Sequence, residues 1–233
     1  STVVTSGDRV FFTTLKEVNE DSSLGSDIIA WCCNAATGET IWTREIPAKH
    51  PLRLSGCFSD SSSPPPVTDG ERVCFFNASG RISCFDFRGN ELWTREVMPV
   101  GRTNAFQIDG QVAVIGRGGG HSPPETPEGI SLVNAADGST IWTLPLPGFM
   151  STMTLNVLRD EVLVFHGGEH LWVDAMTGEI ARRVSIIENV PVRVRSDDSW
   201  TTEARSLTAN KSKREIIQQS NILAGSYHYF RSY

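Results

Sequence analysis

One phrase recurs along the chain, and it limits the fold more than any other feature. Asn34-Ala-Ala-Thr-Gly-Glu-Thr-Ile-Trp42, Asp86-Phe-Arg-Gly-Asn-Glu-Leu-Trp93 and Asn134-Ala-Ala-Asp-Gly-Ser-Thr-Ile-Trp142 each place a Gly four residues before a Trp. Asp174-Ala-Met-Thr-Gly-Glu-Ile-Ala-Arg182 is a fourth copy with Arg at the Trp position. The end residues are spaced by 51, 49 and 40 residues. A period in this range signals a repeat architecture, in which no unit buries its own core and neighbours must stack.

A second phrase leads each copy: Thr5-Ser-Gly-Asp-Arg-Val10, Thr68-Asp-Gly-Glu-Arg-Val73, Ile108-Asp-Gly-Gln-Val112 and Leu158-Arg-Asp-Glu-Val162. Asp-Gly and its relatives accept the positive φ of a two-residue hairpin turn, and the flanking Val, Ile and Phe residues favour strands. Each repeat therefore reads as strand A, tight turn, strand B, variable loop, strand C, Thr-Gly or Asp-Gly turn, and strand D carrying the Trp. Helical periodicity is nearly absent; the one stretch that admits a helix is Thr201 to Ser220. Four-stranded antiparallel units at this spacing predict an all-β fold, a β-propeller whose recurring Trp42, Trp93 and Trp142 pack between blades. The expected blades are about 1–47, 62–97, 103–147 and 152–185, followed by an inserted connection at 186–220 and the start of a fifth blade at 221–233.

The A-x-D-x-x-T-G-x-x-x-W pattern of these phrases resembles the tryptophan-docking repeat of the PQQ-like β-propellers. That family includes the quinoprotein alcohol dehydrogenases and an outer-membrane assembly lipoprotein. The resemblance covers about residues 1–184 and implies an extracytoplasmic propeller. Relatives have seven or eight blades, so four and the start of a fifth imply an incomplete ring whose missing blades come from another segment or chain. It leaves function open, because most members of this repeat family bind no quinone. A quinoprotein would use PQQ with Ca²⁺ held by carboxylate and carbonyl oxygens, an Asp base and a Trp platform. None of these maps residue by residue onto this sequence, so no cofactor is expected and an enzyme is the weaker reading.

Composition excludes several classes. The 233 residues carry 39% apolar and 21% charged side chains with a formal net charge of −6, which fits a folded chain with a real core and does not fit disorder or a coiled coil. No apolar run is long enough to span a membrane as a helix. The locally basic stretch from Ser185 to Ser220 is nearly balanced by interleaved acids, so nucleic acid is not expected as a partner. The five cysteines, Cys32, Cys33, Cys57, Cys74 and Cys84, offer no C-x-x-C ligand pair. Cys32 and Cys33 lie side by side as in the vicinal disulfide of quinoprotein dehydrogenases, but adjacent strand residues point to opposite faces. Cys74 and Cys84 could oppose each other across the Ala78-Ser79-Gly80 turn, with free core thiols as the expected state.

In an up-and-down blade the A–B and C–D turns fall at one end, and the B–C loops and D-to-A connections at the other. The first set is short and uniform; the second, at 15–27, 46–63, 94–104, 116–129 and 185–220, holds every unusual segment. Variable loops on a rigid scaffold are where binding residues concentrate, so this second end is the candidate face for a protein partner. Its most distinctive loop contains Arg117, Gly118, Gly119, Gly120 and His121, with glycines that permit close approach, a cation and an imidazole. A transition-metal alternative uses His166 and His170, facing each other if Gly167, Gly168 and Glu169 form a three-residue loop, with Glu169 or His121 as third ligand. Asn77-Ala-Ser79 and Asn210-Lys-Ser212 match a glycosylation sequon, each expected to be a turn or loop by chance.

Overall fold

The computed structural model describes residues 3–16, 27–49, 61–62, 64–96, 106–108, 111–115, 129–146, 154–158, 161–166, 169–185, 190–196, 199–205, 222–224 and 227–229. All regular structure among them is β. The chain falls into two compact units, Ser1–Ser151 and Thr152–Tyr233.

The first unit holds three four-stranded antiparallel blades, each a meander in chain order. Blade 1 is β1 (Val4–Ser6), β2 (Arg9–Leu15), β3 (Ile28–Asn34) and β4 (Thr40–Ile46). Blade 2 is β5 (Val67–Thr68), β6 (Arg72–Asn77), β7 (Arg81–Asp86) and β8 (Glu91–Glu96). Blade 3 is β9 (Phe106–Ile108), β10 (Gln111–Ile115), β11 (Gly129–Asn134) and β12 (Thr140–Pro145). The A strands β1, β5 and β9 lie side by side in succession. The second unit holds a fourth such blade, β13 (Thr154–Leu158), β14 (Glu161–His166), β15 (Glu169–Asp174) and β16 (Ile180–Ser185). The fold is thus a β-propeller type built from four complete blades, with two further hairpins in the second unit.

Those hairpins correct one sequence expectation. The stretch at 186–220 is more than a connection: β17 (Val190–Ser196) pairs with β18 (Ser199–Arg205), in a register that ends with Ser196 opposite Ser199. This repeats the A–B geometry of the other blades, where Ser6 pairs with Arg9, Ile108 with Gln111 and Leu158 with Glu161. Residues 201–205 are strand, not helix, because alternating Val190, Val192 and Val194 and the β-favouring Trp200, Thr201 and Thr202 suit a pleated ribbon. The second hairpin, β19 (Ile222–Ala224) with β20 (Tyr227–Tyr229), lies within the stretch expected to begin a fifth blade.

The C–D turns show why the recurring phrase begins with Asn or Asp. Its side-chain oxygen accepts backbone N–H groups two or three residues on: Asn34 Oδ1 from Ala36 and Thr37, Asn134 Oδ1 from Ala136, and Asp174 Oδ1 from Met176 and Thr177, at 2.8–2.9 Å. This is the Asx turn. The N–H groups of Thr177 and Met176 accordingly hold the Asp174 carboxyl below its ordinary pKa. Each C–D pairing also contains a register shift at one equivalent place: after Cys32, Cys84, Leu132 and Trp172. The bulge is a built part of the blade.

The A–B turn of blade 2 gives a pH prediction. Burial alone would push the Asp69 carboxyl up, but the N–H groups of Glu71 and Arg72 and the Arg72 guanidinium at 2.9 Å outweigh it and hold the pKa low. A depressed folded pKa stabilises above the unfolded value and is lost as pH falls through the folded one. Below about pH 4, the usual aspartate range, the urea midpoint of the natural chain should therefore fall more steeply than that of Asp69→Asn. Parallel acid limbs would contradict this.

Candidate interaction face

The blades of the first unit are joined by one repeated contact. Trp42 Nε1 donates to the Phe87 carbonyl of blade 2 at 3.1 Å, and Trp93 Nε1 donates to the Ala135 carbonyl of blade 3 at 2.8 Å. Two residues on, Arg44 Nε donates to the Gly89 carbonyl at 2.8 Å, and the Arg95 guanidinium to the Gly138 carbonyl. Phe87 and Ala135 each follow the Asx residue of the next blade's phrase. The Trp end of one copy therefore reads the turn end of the next copy. Gly89 and Gly138 serve twice: both have positive φ, +84° and +72°, and a Cβ on either would sit 2.7–2.8 Å from the incoming indole. Apolar cores lie behind these contacts, with Phe11, Ala30, Cys32 and Trp42 against Val73, Phe75 and Phe85, and Cys74, Phe76, Ile82, Cys84 and Trp93 against Val133 and Ala135. Trp142 is 8% exposed on β12 and has Leu144 where the earlier blades have Arg.

Blade 4 departs from this pattern. Arg182 takes the Trp position and is exposed, and its guanidinium stacks 3.7 Å over the ring of Trp172. Trp172 is its register partner on β15, where blades 1–3 have Cys32, Cys84 and Leu132 opposite Trp. The aromatic of this pair sits on β15 instead of β16, and a cation–π contact joins the two strands.

The end of the blades carrying the B–C loops is described most fully between blades 1 and 2. Lys16 Nζ lies 2.6 Å from Glu45, whose hydrogen bond raises the lysine pKa, and Lys49 Nζ lies 2.7 Å from Glu96. Below these paired charges runs a buried polar network. Thr13 Oγ1 donates to Ser62 O at 3.1 Å, Ala78 N to Ser61 O at 2.9 Å, and Asn77 Nδ2 to Ile46 O at 3.1 Å. Ser79 Oγ donates to Asn77 Oδ1 at 2.7 Å and accepts Lys49 N–H at 3.0 Å. Asn77, Ser79 and Ser61 are fully buried. Their groups are satisfied by chain from both blades, which makes the network a brace for this end. The Asn77 sequon is accordingly core structure, with its amide engaged and out of solvent. The Ser79 hydroxyl meets an amide oxygen and a backbone N–H, neither of which is a base that could activate it.

Arg117, Gly118, Gly119, Gly120 and His121 lie outside the described residues, as do Asn210 and Cys57. The geometry expected of the histidine pair is corrected by the register. His166 pairs with Glu169 and His170 with Phe165, so the histidines are not opposite each other. The core sets this register: Val162 opposes Val173 and Val164 opposes Leu171, all buried. A three-residue loop would slip the strands by one and bring Asp174 opposite Val162. Glu169 instead lies 3.5 Å from Arg183. Among the described residues no group of three His, Cys, Asp or Glu side chains converges as a metal site. Cys32 faces blade 2, while Cys33 lies on the other face of β3, 3.9 Å from Thr40 Oγ1; both are free and buried. They do not fit the vicinal disulfide that would cover a quinone ring. Burial raises the Cys32 thiol to about 11, which keeps it protonated and unreactive at neutral pH.

The two Arg residues that follow Trp42 and Trp93 were visible in the sequence as a repeated Trp-Thr-Arg, yet nothing in one strand says that they clamp a neighbour's glycine carbonyl. The Thr13–Ser62–Asn77–Ser79 brace left no such signal, since its members are scattered single polar residues.

A family model described as outer membrane protein assembly factor BamB matches residues 3–119, half of the chain. No curated protein matches it by sequence. Among solved structures, BamB from Moraxella catarrhalis is similar over 78% of this chain and 62% of its own, at 14% identity and a TM-score of 0.50. A europium-containing methanol dehydrogenase is similar over 88% and 44%, at 13% identity and 0.54. The quinohemoprotein alcohol dehydrogenase from Comamonas testosteroni is similar over 86% and 38%, at 13% and 0.54. The chain thus spans less than two thirds of the length of each, and at these identities the likeness is one of fold.

Proposed function

Because the chain belongs to the family of the outer membrane protein assembly factor BamB, we propose that it is an extracytoplasmic propeller module serving as a rigid binding scaffold for a protein partner. The observation that carries this reading is the contrast between the two ends of its blades. At one end the described turns are short, alike and self-satisfied through Asx hydrogen bonds. At the other, a buried polar brace and two neutralising ion pairs hold the roots of long connections of dissimilar sequence. A stiff, charge-balanced base under variable loops suits recognition of a protein surface. In this reading Arg117 to His121 contribute to the partner-binding face.

A photo-crosslinking residue at position 121, incubated with a cell-envelope extract, should yield a discrete polypeptide adduct, whereas the same residue at Thr37 on the opposite end should not. Equal labelling from both positions, or none from 121, would overturn the assignment of the face. The alternative reading is a quinoprotein-type oxidoreductase, prompted by the dehydrogenase neighbours. It predicts quinone absorbance that stays with the protein after PQQ and Ca²⁺ are added and the sample is desalted. The scaffold reading expects none to be retained.

A further inference from the structure

We propose that Cys74 and Cys84 form a disulfide across the β6–β7 hairpin of blade 2, a modification site independent of the partner-binding reading. The two cysteines are direct register partners. Opposite residues in an antiparallel pair have Cα atoms about 4.5 or 5.5 Å apart, and both values lie in the range of about 4.4–6.8 Å that a disulfide spans. Opposite residues also share a face, so both sulfurs point to the same side, into the cluster with Trp93, Val133 and Ala135. Exposure is 2% for Cys74 and 0% for Cys84, and both are free thiols in this structure. The other described cysteines lack such a relation: Cys32 and Cys33 are consecutive in one strand, and their register partners are Phe11 and Val10 on β2 and Trp42 and Thr40 on β4.

The chemistry is thiol–disulfide exchange with a disulfide-bearing oxidant, written RSSR. One cysteine thiolate attacks a sulfur of RSSR, forming a mixed disulfide and expelling RS⁻. The second thiolate attacks the protein sulfur of that mixed disulfide, closing the Cys74–Cys84 bond and expelling the second RS⁻. Two thiol protons are released and two electrons pass to the oxidant. Burial and the neighbouring thiol push Cys74 above its ordinary pKa in the finished fold, so exchange belongs to the stage when the hairpin has formed and blade 3 has yet to cover it. Oxidation also changes the blade 2–blade 3 contact. The Cys84 thiol reaches the Ala135 carbonyl at 3.7 Å, the same oxygen that accepts the Trp93 indole N–H. A disulfide removes the S–H donor and leaves that carbonyl to Trp93.

The test uses the whole natural chain, produced once in the oxidising periplasm and once in the reducing cytoplasm of a bacterial host. Free thiols are capped with iodoacetamide in denaturant without reductant, and the chain is cut with trypsin. Arg72, Arg81 and Arg88 separate the two cysteines into the peptides 73–81 and 82–88. In periplasmic protein most of these peptides should run as one linked species, lighter than their sum by two hydrogens and split by reductant. In cytoplasmic protein both should be capped. Periplasmic protein with both peptides capped, or with either cysteine joined to Cys32, Cys33 or Cys57, overturns the proposal.

Discussion

Trp93→Ala is expected to lower the unfolding free energy of the three-bladed unit by about 3–5 kcal/mol, the cost typical of truncating a buried aromatic to Ala. The indole is 8% exposed and, with Arg95, carries β8 onto blade 3. Its removal opens a cavity beside Cys84, Phe76 and Val133 and takes from Ala135 O its hydrogen bond of 2.8 Å. Trp93→Phe separates the two effects: it retains most of the packing and loses the N–H, so about 1 kcal/mol should go. Urea unfolding followed by far-UV circular dichroism measures both. If the two variants lose equally, the hydrogen bond rather than the ring holds the blades together. If neither loses stability, the contact does not join the blades in solution.

Gly138→Ala should destabilise more than Gly38→Ala by about 1–3 kcal/mol, the usual penalty of overpacking. The two glycines occupy equivalent turns with nearly equal φ, +72° and +74°. The intrinsic cost of a left-handed alanine, about 1–2 kcal/mol, is therefore common to both and cancels in the comparison. What differs is the neighbour. A Cβ on Gly138 would lie 2.7 Å from the Trp93 ring, whereas one on Gly38 meets nothing within 4 Å. Gly89→Ala, 2.8 Å from Trp42, should behave like Gly138→Ala. Equal losses at Gly38 and Gly138 would mean that the turn conformation alone demands glycine and that docking adds no constraint.

These paired variants also show how much of the architecture could be read from residues in order. The four-stranded meander was legible because its signals are local. Asp-Gly and Asx turns recur at a fixed offset from β-forming runs, and the side-chain alternation of a strand needs only its own residues. The hairpin at Val190–Arg205 is less legible, although Asp197 and Asp198 sit between two β-favouring runs, because interleaved charges mask the strand alternation. The register of the histidine pair is illegible in the sequence for a different reason. Whether the turn between His166 and His170 holds two residues or three is decided by Val162, Val164, Leu171 and Val173 finding a common buried face.

Residue order alone established the period, the strand-and-turn unit, the all-β class and the demand that every unit stack on another. These are consequences of short-range backbone chemistry and of a sheet face too apolar to leave in water. Which groups meet across that stack belongs to three dimensions. The indole of Trp42 selects the Phe87 carbonyl 45 residues away, and Arg44 takes the Gly89 carbonyl. Arg182 stacks on Trp172 where the repeat would have placed a tryptophan, and Asn77 becomes a brace instead of a glycosylation site. Each of these partners is chosen by geometry between strands or blades, where distance along the chain carries no information and the competition is among groups that only folding brings into reach.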